Sequence, residues 1–157
     1  NDNVYSVWEG LLDAYTETGD VEKLKKASID ALDLFPNKPS AYMYYGRAHT
    51  LANDIEEATD LLEEGLLVSG RDVTSISNIY AELGRAYLAN KNLTKANESI
   101  AKSLELSKNQ NSLALEIKGD IHFANGDTDQ AIKSWKEALN KGVQSQRLQQ
   151  KIDNKGL

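Results

Sequence analysis

Four chemically different slots recur along this 157-residue chain with one irregular set of intervals, 34, 38 and 35 residues. A polar residue suited to opening a helix stands at Asp20, Asp54, Asn92 and Asp127. A ring stands at Tyr15, His49, Tyr87 and His122, and a small side chain at Ala31, Gly65, Ser103 and Ala138. A large apolar residue stands at Trp8, Tyr42, Tyr80 and Leu115. Shared irregular spacing marks a repeated structural unit. A unit this short cannot bury its apolar face alone, so neighbours must stack into one continuous core. The extra residues of the middle interval fall in the polar stretch 70–75, where added loop length costs little.

Each unit reads as two helices. Trp8, Leu11, Leu12 and Tyr15 lie at i, i+3, i+4 and i+7 on one helical face. Gly19 then ends that helix, and the Asp20 carboxylate caps the free N–H groups of the next. Asn53-Asp54, Lys91-Asn92 and Gly126-Asp127 fill the same junction. Leu24, Ala27, Ala31 and Leu32 mark the second helix. Pro36 closes the first unit, and Pro39 opens the second at the helix turn that tolerates proline. No stretch alternates as a strand does, so the expected fold is all-α.

The unit resembles the tetratricopeptide repeat (TPR). The carriers are Trp8-x-x-Leu11-Leu12-x-x-Tyr15 with Leu24, Ala31 and Pro36, then Tyr42-x-x-Tyr45-Gly46-x-x-His49 with Ala58 and Gly65. Tyr80-x-x-Leu83-Gly84-x-x-Tyr87 follows with Ala96 and Ser103, and the fourth unit has Leu115, Gly119, His122, Ala131, Trp135 and Ala138. Leu12, where a small residue is usual, and Lys118, where an apolar one is usual, depart from the pattern. The resemblance implies a right-handed α-solenoid, a single array over 1–157. Its repeats fall at about 5–38, 39–72, 77–110 and 112–142, with a capping helix at about 143–154 built on Val143, Leu148 and Ile152. The ending also resembles that of longer exported bacterial TPR proteins. That implies further repeats upstream and a periplasmic or cell-envelope location, and the missing initiator Met fits a processed or excised piece.

Composition narrows the function. Twenty-four acids against 18 bases give a net charge of −6, which argues against a nucleic-acid binder. With no cysteine there is no thiolate metal site and no thiol nucleophile. No apolar run approaches the roughly 20 residues of a membrane span. His49 and His122 occupy the ring slot of the repeat and read as packed side chains, not metal ligands. The acids of 56–64 read as a solvated helix face. No catalytic constellation, cofactor or metal site is expected.

In such an array the first helix of each unit lines the concave face, which the resemblance assigns to partner binding. Arg47 and Arg85 share one slot in the middle units, and Asp13 and Asp120 hold it in the outer ones. Met43, Leu51, Leu88 and Phe123 supply apolar surface beside them. This groove suits a protein or peptide segment bearing a carboxylate. Alternatively, the arginines pair with Asp13, Asp120 or Glu82 and merely order the array. The clamp by which chaperone-binding TPR domains hold a C-terminal carboxylate is absent: the matching positions hold Glu9, Asp13, Tyr44, Asn78 and Glu82. Charge is divided unevenly. Residues 1–76 carry −9 and residues 77–157 carry +3, a polarity that could orient a partner or align copies of the chain.

Overall fold

A computed structural model describes residues 2–142 and 145–156. Every regular element among them is a helix: α1 (Asp2–Thr18), α2 (Val21–Leu34), α3 (Pro39–Leu51), α4 (Ile55–Ser69), α5 (Val73–Ala89), α6 (Leu93–Leu106), α7 (Ser112–Ala124), α8 (Thr128–Asn140) and α9 (Gln146–Asn154). Consecutive helices pack as hairpins, and the hairpins stack in chain order, with first helices touching first helices. The result is a helical repeat solenoid. None of these helices is long and apolar enough to cross a membrane. Within the expected cap, Val143 and Gln144 lie outside the described residues; the helix itself runs from Gln146.

The turn chemistry explains the hairpins. Gly19, Asn53, Lys91 and Gly126 all take positive φ, between 57° and 82°, reversing the chain after each first helix. The next residue caps the second helix. Asp20, Asn92 and Asp127 accept the backbone N–H of Lys23, Lys95 and Gln130 at 3.1 Å each. Asp54 sits at the same position without such a bond. Its carboxylate instead meets His49 Nδ1 at 2.9 Å. The ring at that slot is thus held by one nitrogen, while His49 Nε2 is buried without a protein partner.

The hairpins close through a large-into-small fit. A Cβ added at Gly119 would lie 2.4 Å from Trp135, and one at Gly84 would lie 2.6 Å from Ile100. The glycines therefore let the paired helices approach to the distance a large partner side chain requires. Unit one reverses the pair. Leu12 stands 34 residues before Gly46, and Ser28 stands 34 before Leu62, the side chain that Gly46 admits. Leu12 and Ser28 are both fully buried. The departure at Leu12 is thus matched by a small residue at the facing slot, conserving volume.

The core follows the stack. One cluster joins Leu12, Leu24 and Leu62 to Ile79 and Leu83. A second joins Ile100, Leu115, Ile121 and Trp135 to Leu148 of α9. Tyr87 packs against both, so apolar contact runs without a break from α1 to α9.

Candidate functional site

The concave face carries a ladder of alternating charge, buried through most of its length. On α1, Asp13 accepts a 2.5 Å hydrogen bond from Tyr44 Oη of α3. The Tyr44 ring lies 5.3 Å beneath the Arg47 guanidinium. Arg47 reaches across to α5, where its Nε donates to Glu82 Oε1 at 2.9 Å and its Nη2 to the same oxygen. Arg85 Nε donates to the other oxygen, Glu82 Oε2, at 3.1 Å. Beyond Arg85 stand Glu116 and Asp120 of α7, both buried. Lys151 of α9 donates to Glu116 Oε1 at 3.0 Å and to both Asp120 oxygens at 2.8 and 2.9 Å. Arg147 adds a 2.8 Å bond to Glu116 Oε1, and Trp135 Nε1 donates to Asp120 Oδ1 at 2.9 Å. Cross-unit partners sit 31 or 35 residues apart in sequence, one repeat in each case.

Burial makes these groups interdependent. Burial by itself would raise the Glu82 carboxyl, but Arg47 and Arg85 outweigh it and hold the group below the ordinary range. Arg85 is held above its ordinary value because Glu82, Glu116 and Asp120 outweigh its own burial. Glu116 behaves like Glu82. Arg85, Arg147 and Lys151 overcome its desolvation and bring it from 4.5 down to about 2. The sign follows. An unfolded chain protonates Glu116 near 4.5, whereas the folded chain resists protonation until about pH 2. The stabilisation is therefore complete above about pH 5 and is lost as pH falls toward 2. Urea midpoints are expected to drop steeply across that window, and a Glu116→Gln variant should show a shallower drop. Identical pH dependence in the two proteins would contradict the assignment.

The eight residues that sequence places in the groove divide into two groups. Asp13, Arg47, Arg85 and Asp120 belong to the ladder, and Met43 is buried within the same stack, 7 % exposed. Of the two arginine roles left open by the sequence, pairing with Glu82 is the one observed. Leu51 is 45 % exposed, and Leu88 and Phe123 are half-buried. These three stand near the C-terminal ends of α3, α5 and α7, beside the ladder. Phe123 leans on Trp135, with ring centroids 5.9 Å apart. The array curves enough to bring its two ends together, since Ser145 Oγ donates to Glu17 Oε2 at 3.1 Å.

Sequence reasoning missed Tyr44, Arg147 and Lys151. Tyr44 and Glu82 stand at the same repeat slot, 38 residues apart, with Ile117 a further 35 on. All three are buried, so a charge there demands a partner. Lys151 and Arg147 read as the polar side of a capping helix, and only their 31- and 35-residue offsets from Asp120 and Glu116 signal otherwise.

Comparison with known proteins bears on this architecture. No curated protein matches the sequence. A thermophilic TPR protein of Thermus thermophilus, TTC0263, superposes with a TM-score of 0.69 at 16 % identity, over 92 % of this chain and 77 % of that one. A chain of the APC/C Cut9–Hcn1 hetero-tetramer superposes with a TM-score of 0.67 at 18 % identity, over 90 % of this chain and 26 % of that one. MamA gives 0.57 at 23 % identity, over 90 % and 80 %. At these identities the likeness is one of fold. The family model for the tetratricopeptide repeat-like domain matches residues 11–156, and the chain belongs to that family.

Proposed function

We propose that this chain is a non-catalytic protein-interaction scaffold that holds a segment of a protein partner against its concave face. The observation that carries the reading is the apolar surface at the C-terminal ends of α3, α5 and α7, where Leu51 is exposed and Leu88 and Phe123 keep part of their surface, beside a ladder that fixes the spacing of those helices. In this reading that surface supplies the contact area. Arg85, whose side chain keeps 15 % of its surface, offers the partner a cation next to Leu88. Arg47, Asp13, Asp120 and Met43 shape the groove through the ladder and do not touch the ligand. A partner segment with apolar side chains and one carboxylate matches this surface.

The test is quantitative capture of partners by the wild type and by a Leu51→Asp/Leu88→Asp variant. Each buried leucine contact is worth roughly 1.5–3 kcal/mol, so losing two should weaken a groove partner at least about tenfold. The helical signal should be unchanged, because neither side chain is fully buried. A second reading, a structural solenoid segment with no groove ligand, draws support from the commitment of both arginines to Glu82. Capture undiminished by the double substitution favours that second reading and overturns the first.

A further inference from the structure

We infer that the outer face of α1 is a docking surface for one more helix-turn-helix unit of this same repeat type, placed ahead of α1 in the polypeptide. The inference comes from three slots. Val7 aligns by repeat spacing with Ala41, Ile79 and Ala114; Gly10 aligns with Tyr44, Glu82 and Ile117; Ala14 aligns with Ala48, Ala86 and Ile121. The nine residues on α3, α5 and α7 are at most 6 % exposed. On α1 all three slots are open, and Val7 is 72 % exposed. Nothing lies within 4 Å of where a Cβ on Gly10 would be.

Contacts show what these slots face. Ile79 Cδ1 lies 3.1 Å from a Cβ built on Gly65 of α4, so the first slot meets the second helix of the preceding unit. Tyr44 bonds Asp13 of α1, and Glu82 bonds Arg47 of α3, so the second slot meets the preceding first helix. The face on α1 therefore continues an interface that the molecule builds at each of its three inner seams. Val4 and Leu11, 46 % and 39 % exposed, widen it. The occupant that fits brings a second helix against Val7 and a first helix against Gly10.

Self-association fits less well. A two-fold contact would set one helix against one helix, whereas the equivalent slots on the inner seams meet both helices of a preceding hairpin. Head-to-tail stacking needs an open face at the other end. There α9 turns Gln146, Gln149, Gln150 and Asp153 to solvent and buries Leu148. That end is closed by a polar surface, as a terminal cap requires.

The chain has no cysteine, which makes the test direct. A single thiol is placed by Val7→Cys, or, as an exposed reference on α4, by Leu67→Cys, where Leu67 is 83 % exposed. Labelling rates are compared between the 157-residue chain and the polypeptide as its source organism encodes it. The expected result is rapid labelling of Val7→Cys in the short chain and labelling roughly tenfold slower or more in the encoded polypeptide. Leu67→Cys should label rapidly in both. Equal rates for Val7→Cys overturn the inference, as does an encoded polypeptide with no repeat unit ahead of residue 1. Protection that appears in the short chain as its concentration rises, together with a doubled mass by light scattering, assigns the face to a second copy and overturns it too.

Discussion

Replacing Glu82 by glutamine is expected to lower the stability of the array by about 3–5 kcal/mol, the cost of breaking a buried ion pair by deleting one partner. Glutamine keeps the shape and one carbonyl acceptor but removes the charge that two arginines share. Arg47 and Arg85 have side chains only 9 % and 15 % exposed, and the next carboxylates toward the C-terminus, Glu116 and Asp120, already answer Lys151. Arg85 would keep only the field of Glu116 and Asp120, which it already shares with Lys151, and Arg47 would lose the carboxylate it is hydrogen-bonded to. For a chain of this size the loss corresponds to a fall in melting temperature on the order of 10 °C. The matching triple variant, Glu82→Leu with Arg47→Met and Arg85→Met, removes all three charges together. It should recover most of the loss, because uncompensated burial is the destabilising element. A Glu82→Gln protein with wild-type unfolding would show that the arginines are solvated and the ladder is not buried. A triple variant as unstable as the single one would show that Glu82 acts by packing alone.

This ladder marks where the sequence stopped being readable. The repeat was legible because each of its signals is local. A residue with positive φ followed by an Asp or Asn at the helix start sets a hairpin within five residues, and the 34, 38 and 35 intervals multiply it along the chain. Even there one local signal was redirected, since the Asp54 carboxylate turns to His49 and leaves its helix uncapped. The shared slot of Arg47 and Arg85 was also legible, and it correctly put them on one face. Whether a guanidinium on that face points at solvent or at a carboxylate 35 residues away depends on a few ångströms of helix separation. Those ångströms are set by how one hairpin seats on the next, as where Ile79 of α5 closes on Gly65 of α4, a fit that repeat spacing identifies but does not measure. Glu82 was one of three acids the arginines could meet, and repeat spacing could not choose among them for the same reason. Its slot is an interior one, and a charge in an interior slot gains meaning only when the neighbour's partner is in view.

The other end of the ladder should fail as a local event. Trp135 is fully buried, and a Trp135→Ala substitution is expected to cost about 3–5 kcal/mol. The indole fills the space left by Gly119, packs against Phe123, donates to Asp120 and lies 5.8 Å from the Lys151 ammonium. Removing it empties the α7–α8 seam and takes away one of the contacts that orient Asp120 toward α9. In a solenoid units touch their neighbours, here with the single Ser145–Glu17 bond beyond them among the described hydrogen bonds, so stability is close to a sum of unit and seam contributions. Units one and two share no residue with the damaged seam. Trp135→Ala should therefore unfold in two steps by far-UV circular dichroism, α7–α9 first and α1–α6 later. Amide exchange should rise in 112–154 while 21–69 keeps its protection. Glu82→Gln acts at the middle of the stack and should weaken both halves together. If Trp135→Ala instead melts in one step with uniform exchange, the four units fold as a single cooperative block, and the seam-by-seam account of this array is wrong.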